Sequence, residues 1–238
     1  DLWLLRMDGS GTITWQKTYG TPGEDNGDVF ATADGGYAIC GFSTGAADQT
    51  TAWIAKLDAA GAIVWQKQIA PADAGFSAAQ LLSDGGFLLS GNAFDMNTFT
   101  FTFKMARLNS SGAIVWQKEY PSSRMLTGVP QQLSDGSFIV SGTDIDFESG
   151  STGIWVMKLA STGAIQWQKS YGGASDDIGG LIVPVSGGYF LSGQTNSFGP
   201  GAGSDEFNIL LLKLDASGNI VWQRVYGDQL SVILDYLA

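Results

Sequence analysis

The sequence contains no histidine and only one cysteine, Cys40. Without an imidazole there is no His-based metal site, no His-ligated haem and no triad-type acid–base device. One thiol closes no internal disulfide and builds no cysteine zinc centre. Charge is scarce, at 15% of residues, and one-sided: 12 Lys and Arg stand against 23 Asp and Glu, a net charge of −11. That balance argues against sequence-independent binding to nucleic acid and against anionic membranes. No apolar run approaches the roughly 20 residues of a membrane-spanning helix. The opening Asp1-Leu2-Trp3-Leu4 has no basic region leading into an apolar core, so no targeting signal is expected here. Low charge together with 33 glycines in 238 residues is unlike a helical bundle. A chain of this length buries a core without a disulfide or metal staple.

What is present is a repeat. Trp-Gln dipeptides begin at Trp15, Trp65, Trp116, Trp167 and Trp222, at intervals of 50–55 residues. A glycine stands four residues before each tryptophan, at Gly11, Gly61, Gly112, Gly163 and Gly218. A base follows two residues after each, at Lys17, Lys67, Lys118, Lys169 and Arg224. Another base precedes each unit, at Arg6, Lys56, Arg107, Lys158 and Lys213. Only Lys104 and Arg124 fall outside these two positions, so the basic residues read as scaffold and not as a ligand patch.

Each unit reads as four short strands, A to D. Strand A is Val29–Ala33 or Leu181–Val185, and strand B is Tyr37–Gly41 or Phe138–Gly142. Strand C is Trp53–Leu57 or Trp155–Leu159, and strand D is Ala62–Ile69. Asp34-Gly35-Gly36 and its equivalents join A to B with the positive φ that tight hairpins need. Asp58…Gly61 and Asp215…Gly218 join C to D with type I turn chemistry. In strand D, Ile63, Trp65 and Ile69 share a face and are expected to pack between blades, with the tryptophans largely buried. Pro130 and Pro184 fall in strand A, which marks it as an edge. Short, evenly spaced strands at a period near 50 predict an all-β fold, a β-propeller of four-stranded blades.

The D-x-x-G-x-x-x-W signature, Asp58…Gly61…Trp65 and Asp215…Gly218…Trp222, resembles the tryptophan-docking motif of quinoprotein-type propellers. The larger unit, with Asp-Gly-Gly-Tyr and then Lys-Leu-Asp-x-x-Gly-x-Ile-x-Trp-Gln-Lys-x-Tyr-Gly, is similar to repeat propellers of secreted and cell-surface bacterial proteins. The resemblance covers essentially the whole chain. It implies a propeller with an extracellular or cell-surface setting and no established chemistry, and it implies no quinone.

One domain over 1–238 is expected, with repeats near 1–51, 52–102, 103–153, 154–206 and 207–238. The chain opens with a lone C–D pair, Leu2–Tyr19, and closes with an apolar stretch, Ser231–Leu237, in the place of a strand A. The expected arrangement is five blades, with these ends sharing a composite closing blade. The rival is an excerpt of a longer propeller.

Alternating strand direction puts the A–B and C–D turns on one face and the D–A and B–C loops on the other. The loop face collects the acids: Glu24, Asp25, Asp28, Asp48, Asp73, Asp95, Asp144, Asp146, Glu148, Asp176, Asp177, Asp205, Glu206 and Asp228. Only Arg124 opposes them there. Dissimilar loops on a rigid scaffold are where binding resides. The candidate binding residues are therefore Glu24, Asp25, Asp144, Asp146, Glu148, Asp176, Asp177, Asp205 and Glu206. Asp144, Asp146 and Glu148 alternate along the chain and form a calcium candidate without the full loop pattern. Loop aromatics such as Phe94, Phe147 and Phe198 suit stacking on sugars, or else fold over blade edges. The expected role is a non-enzymatic module for a protein partner or assembly, with a basic or cation-bridged partner surface. The alternative is a lectin-like propeller for glycan or calcium. Hydrolysis by paired carboxylates ranks last.

Overall fold

The computed structural model describes residues 1–20, 23–44, 50–69, 75–95, 98, 100–203 and 206–227. Asp205, Asp48, Asp73, Asp228 and the Ser231–Leu237 segment lie outside the described residues. The described residues form strands and no helix. The chain divides into two compact units, residues 1–99 with 103–120 and residues 100–102 with 121–238.

In the first unit, β1 (Leu2–Met7) pairs with β2 (Ile13–Tyr19) as a hairpin. The next sheet runs β3 (Glu24–Ala31), β4 (Tyr37–Thr44), β5 (Thr50–Leu57) and β6 (Ile63–Ile69) in chain order. A third sheet follows the same order: β7 (Gly75–Leu81), β8 (Phe87–Asp95), β9 (Thr100–Leu108) and β10 (Ile114–Ser122). In the second unit, β11 (Met125–Leu126) and β12 (Val129–Gln132) both pair with β13 (Phe138–Ile145). That sheet continues through β14 (Thr152–Leu159) to β15 (Ile165–Tyr171). The last sheet is β16 (Asp177–Val185), β17 (Gly188–Thr195), β18 (Asn208–Asp215) and β19 (Ile220–Tyr226). Every pairing is antiparallel and, apart from β11 with β13, joins chain neighbours.

The turns form as their residues require. Gly61 N–H donates to Asp58 O at 3.0 Å, and Gly218 N–H donates to Asp215 O at 3.0 Å. Both glycines sit at positive φ, 73° and 76°. The strand C base locks the A–B turn of its own sheet: Lys56 meets Asp34 at 2.8 Å and Arg107 meets Asp84 at 2.6 Å. Pro130 and Pro184 lie in β12 and β16, each paired on one side only.

The core lies between sheets. Ile39, Trp53, Ala55 and Leu57 pack toward the β1–β2 hairpin, and Ile54, Phe87 and Leu89 fill the space between the second and third sheets. In the second unit, Ile139, Ile154, Val156, Leu210 and Leu212 do the same. Central strands are covered on both faces, so they read as unbroken apolar runs.

Two expectations change. The fully buried tryptophans are Trp53 and Trp155 of the strand C position, 1% and 0% exposed. The strand D tryptophans Trp15, Trp65, Trp116 and Trp167 are half-buried, Trp222 is exposed, and Ile63 is 46% exposed. Strand D is a sheet edge, so its tryptophan covers a neighbour on one side only. The strand A elements also begin earlier than expected, at Glu24 and Asp177, because those residues keep ladder partners in Thr44 and Thr195. Acids read as loop residues thereby become strand-end residues.

Candidate binding site

Strand extension assembles a polar cavity in the second unit. Asp144 lies near the end of β13, opposite Gly153 of β14. A Cβ on Gly153 would sit 2.8 Å from Asp144 Oδ1, so only glycine leaves the carboxylate this close to the neighbouring strand. Arg124 precedes β11, with its N–H donating to Ser122 Oγ at 3.1 Å. Its guanidinium donates to Asp144 Oδ1 at 2.9 Å and to Asp146 Oδ2 at 3.2 Å. Charge-assisted bonds of this kind are about twice as strong as neutral ones.

On the other wall, Asp177 opens β16 and is only 1% exposed. Its Oδ2 accepts from Gly173 N–H at 2.7 Å and from Ser197 Oγ at 2.8 Å. Its Oδ1 is buried without a hydrogen-bond partner. Gly172 has φ 127°, and a Cβ there would collide with Asp177 Oδ2. Asp176 turns the other way and accepts from Thr152 N–H at 2.8 Å, tying its loop to β14. Between these walls lies a cavity of about 470 Å³, lined by Ser122, Arg124, Asp144, Thr152, Ser170 and Asp177 among others. Two buried carboxylates and one guanidinium leave its lining net negative.

The other sequence candidates fall elsewhere. Asp146 accepts from the Glu148 and Ser149 amides at 2.9 and 3.3 Å. Those backbone bonds, with Arg124 beside them, hold its carboxyl below the usual range. Glu148 is exposed. The calcium candidates therefore do not share a centre: Arg124 bridges Asp144 and Asp146 and stands where a cation would. Among the described residues no group of three His, Cys, Asp or Glu is placed to hold a metal. Asp25 stands beside Gly20 as Asp177 stands beside Gly172. Glu24 is exposed and Glu206 half-buried. Of the aromatics, Phe147 stacks on Phe101 at 5.2 Å between centroids, while Phe198 packs against the core. The sequence reading missed Ser197, Thr152 and Gly153. The glycine after Tyr171, matching Gly20 after Tyr19, was the available signal for a carboxylate brought close.

No family model matches the chain, and no curated protein matches it. Among solved structures it is similar to the β-propeller domain of the Trilobed protease from Pyrococcus furiosus, described as an open velcro topology. The TM-score is 0.50 at 7% identity, over 90% of this chain and 59% of that one. An endo-arabinase from Bacteroides thetaiotaomicron matches with a TM-score of 0.48 at 14% identity, over 84% of this chain and 80% of that one. Four-stranded antiparallel sheets in chain order, together with the first of these likenesses, make the fold a β-propeller.

Proposed function

We propose that the chain is a non-enzymatic binding module of an extracellular or cell-surface protein, taking a basic protein partner on its acidic loop face. The observation that carries this is Asp177. A buried carboxylate oxygen without a donor is costly, and a native protein keeps such a group where something else completes it. The net negative lining favours a donor that brings positive charge, a Lys or Arg side chain of the partner. Asp144 is committed to Arg124, so it is not free to serve as a general acid beside Asp177. The net charge of −11 steers such a partner from a distance.

A glycan is the second reading, favoured by the serine hydroxyls of Ser122 and Ser170 in the lining. The test is a titration of the full chain with peptides of equal length and opposite charge, and with a panel of neutral oligosaccharides. Basic peptides are expected to bind, and Asp177→Asn is expected to weaken them at least tenfold. Binding of oligosaccharides alone supports the second reading, and binding of acidic peptides contradicts both.

A further inference from the structure

The cavity beside Asp144 and Asp177 lies wholly within the second unit. Its two buried carboxylates share one feature: the fold has taken one oxygen of each and left the other. At Asp177, Oδ2 accepts from Gly173 N–H at 2.7 Å and from Ser197 Oγ at 2.8 Å. Oδ1 has no donor among the described residues. At Asp144, Oδ1 accepts from Arg124 Nη1 at 2.9 Å. Among the described residues Oδ2 is approached only by Ser170 Oγ, at 3.4 Å, which is long for a hydroxyl donor. Asp146 adds no open oxygen, since Arg124 holds Oδ2 and the Glu148 and Ser149 amides hold Oδ1.

Single open oxygens discriminate between the two cationic side chains. A guanidinium is a rigid planar fork, and its strongest bond to a carboxylate uses both oxygens at once. Arg124 already shows the limit: with one oxygen of Asp144 to take, it spreads its fork over two different acids. A second guanidinium entering the cavity meets no buried carboxylate with both oxygens open. An ammonium is a compact tip with three donors that rotate to separate acceptors. The open oxygens of Asp177 and Asp144 and the exposed hydroxyl of Ser170 are acceptors of that kind. Leu126 and Tyr171 supply apolar wall for a four-carbon stem. Guanidinium sheds its water more easily, which favours arginine at an ordinary buried pair. Here the missing second oxygen removes the bidentate gain that accompanies it.

We propose, on the reading of this cavity as the receptor for a basic partner, that it selects a lysine side chain of that partner and discriminates against arginine. The ammonium donates to Asp177 Oδ1 and Asp144 Oδ2. Recognition then runs through N–H donors and not through charge alone. A trimethylated lysine keeps the charge and loses the bonds.

Titration calorimetry of the full chain with three N-acetylated peptides of equal length and charge tests this. One peptide carries lysine, one arginine and one trimethyllysine at the same positions, so that a side chain is the only source of a primary ammonium. The lysine peptide is expected to bind roughly tenfold more tightly than either of the others, the scale of one hydrogen bond to a charged group. Asp177→Asn is expected to abolish that preference. Ser170→Ala, at an exposed position that the fold tolerates, is expected to narrow it. Arginine or trimethyllysine peptides that bind as tightly as lysine overturn the selection and leave the basic-partner reading standing. A wild type that binds none of the three overturns both. A lysine preference that persists unchanged in both variants arises outside this cavity and also overturns the proposal.

Discussion

Arg124 binds Asp144 and Asp146 at once, 2.9 and 3.2 Å away, although it precedes them by 20 and 22 residues. One half-exposed guanidinium thereby spans the start of β11, the end of β13 and the turn beyond it. Removing it strands Asp144, whose side chain is 7% exposed, without its cation. Arg124→Ala is expected to destabilise the fold by about 1–3 kcal/mol, the cost of leaving a buried group unsatisfied. Arg124→Lys should recover only part of this, because an ammonium does not fork to two carboxylates. Denaturant unfolding of the two variants measures the difference.

The two tryptophan positions are expected to separate by stability. Trp155→Ala removes a fully buried ring whose Nε1 donates to Thr127 O at 2.7 Å, and should cost about 3–5 kcal/mol. Trp65 is half-buried at a sheet edge, so Trp65→Ala should cost about 1–3 kcal/mol. Equal losses in urea unfolding would mean that strand D is as enclosed as strand C.

Alkali is expected to destabilise the protein. Burial pushes the Cys40 thiol up to about 12, with Asp28 adding to it, and burial pushes Tyr120 up to about 12. Burial, with Asp215 nearby, also raises Tyr171. A raised folded-state pKa favours the protonated group, so its stabilisation is complete below the unfolded value and is lost as pH rises through the folded one. Stability should therefore decline from about pH 8.5 for the thiol and pH 10 for the tyrosines, toward 12. Cys40→Ser should remove the earlier part of that decline, and native-state labelling of Cys40 by a thiol reagent should be slow at neutral pH.

Gly172→Ala is a local test of the cavity. Its φ of 127° and the closeness of Asp177 Oδ2 leave no room for a methyl group. The variant is expected to lose about 1–3 kcal/mol and to weaken binding to basic peptides. An unchanged affinity would mean that the Asp177 wall does not contribute to recognition.

The fold was legible because the repeat writes its turns and its strand D into every copy: Gly61, Trp65 and Lys67 recur with fixed spacing. The burial of the tryptophans was not. Period-two alternation marks which face of strand D turns inward but not that the strand lies at an edge, and Trp53 carries the more enclosed position because its strand is central. Asp144 and Asp177 were named as candidates from loop acidity alone. Their burial depends on strands β13 and β16 extending to include them, and on donors from Arg124, Gly173 and Ser197. Contacts set by cross-strand register leave no local pattern, which is why Asp146 and Glu148 looked equivalent to Asp144.

The most direct test of the loop face as a receptor for a basic partner is the salt dependence of peptide affinity in wild type and in Asp144→Asn/Asp177→Asn. Affinity for a basic peptide should fall steadily as ionic strength rises from 0.01 to 1 M, over which the screening length shortens from about 30 to 3 Å. The double variant should bind weakly and with a shallower salt slope. An affinity that ignores salt, or a double variant that binds like wild type, would contradict it and leave the acids a role in solubility alone.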